Sequence, residues 1–277
     1  MSNFFKVSSA TANTSKRPNK GPSDAPTQPK SLPQAGGHLA RVVKVLFLGE
    51  HNDTFDPSKK PMQRMEVTFE LVNSKFDRVI NRETGETQQE PHWLSKVISV
   101  SASDKSNAIK WANHFGMEVT KVNEYSFQAQ GKEITVREYD TDWSTAIGKP
   151  CQVFVQIDEY KDKRTGEDRQ TAKIKDVMPA MQGIEVPPLF DEDRTKLFTP
   201  LDDSALSIAT YNEMPDWFKE KHIHSANDWN NSPLKRALDD LNGEPVKEVK
   251  KSEPKPKVED NLDDDDAPFD MDDPFND

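Results

Sequence analysis

Five hydrophobic runs with the period of strands, and one stretch with the period of a helix, predict a mainly β domain in this 277-residue chain. Residues 39–49 form a run rich in β-branched side chains. Residues 63–72 alternate most clearly, with Met65, Val67, Phe69 and Leu71 on one face and Arg64, Glu66, Thr68 and Glu70 on the other. Residues 93–101 form a third run. The period then changes over 104–115, where Ala108, Ile109, Trp111, Ala112 and Phe115 make an apolar helical stripe that Gly116 stops. Residues 117–149 show no clear period beyond a short hairpin through Gly131-Lys132. Strand character returns at 150–158, with Cys151, Val153, Val155 and Ile157 inward, and again at 170–177. Two charged turns, around Gly85 and Gly166, suit a glycine at positive φ. Three strands, a helix and two strands is the order of an OB-fold, a five-stranded Greek-key barrel, although other small barrels and α+β sheets share it.

Charge divides the chain further. Residues 1–36 hold five basic side chains against one acidic and read as a flexible basic arm. Residues 37–182, the barrel region, hold 21 basic and 22 acidic side chains. Residues 183–243 form a partly helical extension, in which Pro215 suits a first helical turn and Trp217, Phe218 and Trp229 are placed to pack back onto the barrel. Lys, Glu and Pro alternate over the linker 244–257. The last twenty residues, 258–277, carry ten Asp or Glu and no Lys or Arg, so they account for nearly all of the net charge of −11. An overall acidic balance therefore does not argue against nucleic-acid binding by the folded part.

The composition excludes several classes. A single cysteine permits neither an internal disulfide nor a multi-cysteine zinc site, and Cys151 lies in an alternating apolar run that predicts a buried structural thiol. No stretch has the length of a membrane span and no cleavable signal pattern is present, which predicts a cytoplasmic protein without membrane contact. Walker, Gly-x-Ser-x-Gly and His-Glu-x-x-His motifs are missing, so neither an enzyme nor a cofactor or metal is expected. Asp140 and Asp142 read as an acidic loop, and His222 and His224, two apart, point in different directions on a helix.

The tail is more specific than its charge. Asp263, Asp264, Asp265 and Asp266 precede Pro268-Phe269, and Asp272-Asp273 precede Pro274-Phe275, so each acidic run is followed by an apolar knob. Over about fifteen residues this resembles the tail of bacterial and phage single-stranded DNA-binding proteins, which recruits replication and repair partners. The resemblance implies that the carboxylates meet a basic ridge on a partner while a Pro-Phe pair fills an apolar pocket. It also implies a phage protein in the host cytoplasm, with phage or host replication and recombination proteins as partners. The family usually ends on Phe, whereas Asn276 and Asp277 follow Phe275 here, which favours a phage-encoded partner over the host's own pockets. The extension also looks like a segment that follows the nucleic-acid-binding domain in some phage proteins.

Single strands require cations along a groove for phosphates and exposed aromatic faces for bases. OB-folds supply these from strands two and three and from the first and fourth hairpin loops. The first loop offers Phe55, Lys59 and Lys60; the fourth offers Tyr160, Lys161, Lys163, Arg164 and Arg169. Phe154, between two glutamines on the polar face of its strand, and Trp93, among polar neighbours, are the candidate strand aromatics. Lys44, Arg64, Lys96, Lys173 and Lys175 are candidates for the phosphate track. The leading expectation is thus a non-sequence-specific single-stranded DNA-binding protein, with its homo-oligomeric state left open. The alternatives are an acidic interaction or inhibitor protein mimicking nucleic acid against a host DNA-processing enzyme, and a structural phage protein.

Overall fold

The computed structural model describes residues 5–6, 31–53, 58–81, 83–129, 132–162 and 166–242. The fold is mainly β. In chain order the strands are β1 (Phe5–Lys6), β2 (Gly36–His51), β3 (Met62–Asn81), β4 (Glu86–Val100), β5 (Thr120–Ala129), β6 (Lys132–Asp142), β7 (Pro150–Lys161), β8 (Asp168–Pro179) and β9 (Lys196–Phe198). Helix α1 (Asn107–His114) lies between β4 and β5; α2 (Ala205–Glu213), α3 (Asp216–Phe218) and α4 (Pro233–Asn242) follow β9. Among the described residues no helix is long and apolar enough to cross a membrane.

The main sheet runs β4-β3-β2-β7-β8 with antiparallel neighbours throughout. One edge of β2 serves two partners. Residues Gly36 to Arg41 pair with β7, and after a register shift at Val42–Lys44 the strand pairs in parallel with β9 through Lys44, Val45 and Leu46. The shift turns the strand so that Ala40, Val42, Val45 and Phe47 enter one core while Leu46 and Leu48 enter another. A strand buried on both faces needs a continuous apolar run rather than an alternating one, which accounts for the β-branched density of this segment.

The first core lies on one face of the sheet. Met65, Val67, Phe69 and Leu71 face it as the alternation predicts, together with Cys151, Val153 and Val155; Ile157 packs at its margin. Helix α1 closes it with Ala108, Trp111 and Ala112, and Trp111 meets Phe69 edge to face at 5.6 Å. The Ser106 hydroxyl accepts from the Ile109 amide to cap the helix, and Gly116 at φ +65° ends it. Gly85 and Gly166 adopt φ +70° and +72°, as their turns require. Lys96 on β4 donates to the carbonyls of Ile174 (2.9 Å) and Lys175 (3.4 Å) on β8, so the two edge strands approach through a side chain, with no β4–β8 ladder among the described residues.

Several expectations are corrected. The strand expected over 63–72 continues to Asn81, because β3 and β4 extend as a two-stranded ribbon whose polar residues carry no apolar period. Residues 120–142 form two full strands rather than a short hairpin, and Gly131 of its turn lies outside the described residues. Within the arm taken as flexible, Phe5–Lys6 pairs in parallel with Thr141–Asp142, and order on the main sheet resumes before residue 36, where the Ser31 carbonyl accepts from His92 Nε2. Pro215 is the cap residue of α3 rather than a member of its first turn. Phe218 and Trp229 do pack on the sheet, in the second core with Leu46, Leu48, Phe198, Ile223 and Leu234, and Trp217 lies at its margin.

Candidate nucleic-acid interface

On the face of β3 and β4 opposite the core, the chain's own Phe190 and Arg194 make contacts. Glu66, Thr68 and Glu70, on the face that alternates away from the core, are all buried as well. Glu70 accepts from the Phe190 amide (2.7 Å) with one oxygen and from Trp93 Nε1 (3.1 Å) with the other. Two cations lie over the Trp93 ring, Arg194 at 4.2 Å and Lys44 at 5.0 Å from its centroid. Burial pushes the Lys44 ammonium below its ordinary value; Glu66 opposes this, while Arg194 and Lys196 add to it. Glu90 holds Arg78 (3.2 Å) and Arg194 (3.4 Å). Lys44, Trp93 and Lys96 therefore serve contacts within the chain. Their sequence neighbours gave no sign of this, because the partners are distant in the chain: Arg194 over Trp93, and the Ile174 and Lys175 carbonyls for Lys96.

The β7–β8 hairpin is different. Residues directly opposed in a ladder share a face. Arg169 opposes Tyr160, Thr171 opposes Asp158 and Lys173 opposes Gln156, while Phe154 opposes Gly37 on β2. Val155, Ile174 and Val177 occupy the core side. The structure thus aligns Phe154, Lys173, Tyr160 and Arg169 along one solvent-facing strip. The Phe154 ring rests against Gly37: a Cβ added there would meet the ring at 3.5 Å and the Gln152 amide nitrogen at 2.8 Å. Carboxylates share the strip. Lys173 pairs with Asp158 at 3.1 Å, and Arg169 with Asp162 at 3.1 Å and Glu167 at 3.9 Å. The lysine contact, with a hydrogen bond from Gln156, holds the Asp158 carboxyl below its usual range. Solvent-exposed pairs of this kind contribute little to stability, so a phosphate can replace the carboxylate at small cost.

The remaining candidates are more scattered. Lys60, Lys161 and Lys175 are exposed on the surface. Lys59 pairs with Asp53 at 3.4 Å, and Arg64 donates to the Asn52 carbonyl at 3.1 Å. Phe55, Lys163, Arg164 and the whole tail, from Asp263 to Phe275, lie outside the described residues.

Among the described residues the most exposed aromatic pair was not among the sequence candidates. Tyr125 and Phe127 on β5 are 46% and 45% exposed, with centroids 6.5 Å apart and planes inclined by 28°. The available signal was their i, i+2 spacing between Glu124, Ser126 and Gln128, which puts both rings on one face of a strand. No protein-family model matches the chain, and no curated protein matches it in sequence.

Proposed function

We propose that the chain is a non-sequence-specific single-stranded DNA-binding protein of a phage, acting in the host cytoplasm in DNA replication, recombination and repair. The strand path supports reading the main sheet as an OB barrel. The third, second, first, fourth and fifth strands are β4, β3, β2, β7 and β8, with α1 inserted between the third and fourth and Lys96 bridging the two edges. On that reading β7 and β8 flank the fourth hairpin loop. The observation that carries the proposal is the strip of Phe154, Tyr160, Arg169 and Lys173 on the solvent face of that hairpin. It combines aromatic faces with cations, which is what a sequence-tolerant strand binder requires.

The acidic tail supplies the second half. Ten carboxylates tethered by a linker stay at a local concentration in the ~mM range around any basic strip on the same molecule. They compete with DNA when the strip is empty. Once DNA displaces them, the Pro-Phe pairs are available to replication proteins. A fluorescence-anisotropy titration of the full chain with oligo-dT and with duplex, at two salt concentrations, tests the proposal. Preference for the single strand, weakening with salt, is expected; absence of binding to oligo-dT rejects it.

A further inference from the structure

Hairpin β5–β6 joins β1 in a separate three-stranded sheet of order β1-β6-β5, and β6 meets the segment after β4, where the Tyr139 amide donates to the Ala102 carbonyl (2.8 Å) and the Asp104 amide to the Arg137 carbonyl (3.3 Å). Every residue from Lys121 to Gln128 is exposed. One face is polar: Ser126 bonds Thr135, and Glu124 holds both Lys121 (2.6 Å) and Arg137 (3.4 Å). On the other face Tyr125 opposes Val136 and Phe127 opposes Ile134 in register. Aromatic side chains are costly to leave in water, and no described residue covers this pair.

We propose that Tyr125 and Phe127 form a base-stacking platform, a contact point for single-stranded DNA separate from the β7–β8 strip. The inference rests on the function proposed above and extends it to a part of the fold outside the barrel strands. Three observations choose this occupant over a protein. Two half-exposed rings offer on the order of 200 Å², well short of the roughly 800 Å² per partner that a stable protein interface needs. Their near-parallel, offset arrangement matches the way rings and bases stack. Charge also favours an anion nearby, although the hairpin itself is slightly acidic. Strand β1 fixes the start of the basic arm beside β6, and the Ser31–His92 bond fixes its end on β4. The intervening sequence carries Lys16, Arg17, Lys20 and Lys30 against Asp24 alone. The sequence between these two anchor points thus has a net charge of +3.

The test uses the full chain, labelled oligo-dT and the double substitution Tyr125→Ser/Phe127→Ser, with Tyr125→Phe as the variant that keeps the ring. Loss of both rings is expected to weaken binding by roughly tenfold or more at every salt concentration, with the salt slope unchanged, because stacking releases no counterions. Tyr125→Phe should bind as wild type, and all variants should keep the wild-type Tm. Equal affinity of the double variant and wild type overturns the platform while the proposed function stands. A changed sedimentation coefficient with unaltered DNA affinity overturns it in favour of a second copy of the chain. Failure of the wild type itself to bind oligo-dT removes both proposals.

Discussion

Arg41 donates from Nη1 to the Gly148 carbonyl at 2.6 Å, and from Nε and Nη2 to the carbonyls of Pro187 and Val186. These three oxygens lie outside the strand ladders, and one planar fork gathers them where the extension leaves the sheet. Arg41→Met strips all three at once, and a loss of about 3 kcal/mol is expected in denaturant unfolding. Cys151 pairs with Ala40, next to Arg41, in the β2–β7 ladder. Burial pushes its thiol up to about 12, with Arg41 pulling weakly the other way. It is therefore expected to ignore a thiol reagent at pH 8 until the chain unfolds; rapid labelling of the native protein would contradict the placement. His222 behaves oppositely. Burial, then Lys221, His51 and Arg64 nearby, push its imidazole down to about 4. As pH falls below the unfolded value of about 6.5, the unfolded chain takes up a proton that the folded chain refuses. Stability on this account falls between pH 6.5 and 4 and then levels, and His222→Gln should flatten the Tm profile across that window.

The extension is held to β2 and β3 by a joint built around Asp228. Its carboxylate accepts from the Glu50 amide (2.8 Å) and from Gln63 Nε2 (3.2 Å), and the Asn227 amide donates to the Glu50 carbonyl (2.7 Å). Gly49, at φ +89°, makes the approach possible. A Cβ there would sit 2.6 Å from Asp228 Oδ1 and 2.8 Å from the Ala226 Cβ. Gly49→Ala is expected to destabilise by about 3 kcal/mol through strain and displacement of the extension. Gly85→Ala, at positive φ with open space around it, should cost only about 1 kcal/mol, and equal losses at the two sites would argue against the joint. The joint also marks where sequence reading succeeds and stops. Met65 to Leu71 declared their faces because one side meets a core, and Ala108 to Phe115 declared a helix for the same reason. Glu66 and Glu70, on the opposite face, are buried too, and alternation had no means of showing it, since a carboxylate carries no trace of a distant partner such as the Phe190 amide on Glu70. Residues 120–142 stayed unreadable because their ladder is held by backbone pairing with both faces largely in water. Of the candidate interface, alternation placed Phe154 and Lys173 outward correctly; it had no means of showing that Trp93 is covered by two cations.

At the scale of the molecule, a near-neutral sheet region and an acidic helical extension lie between a basic arm and a tail of ten carboxylates. Cations along the β7–β8 strip are interleaved with carboxylates, so under the proposed function the electrostatic attraction for DNA would be modest and local. On the proposed reading the tail would matter as much as the strip itself, and ionic strength should tune their balance. The direct measurement is a salt titration of oligo-dT affinity for the full chain and for a chain ending at residue 257. Both forms should bind, the shortened chain more tightly, with the largest gap at low salt and the curves converging as salt rises. Superimposed curves would contradict the competing tail, and no binding by either form would contradict the account as a whole.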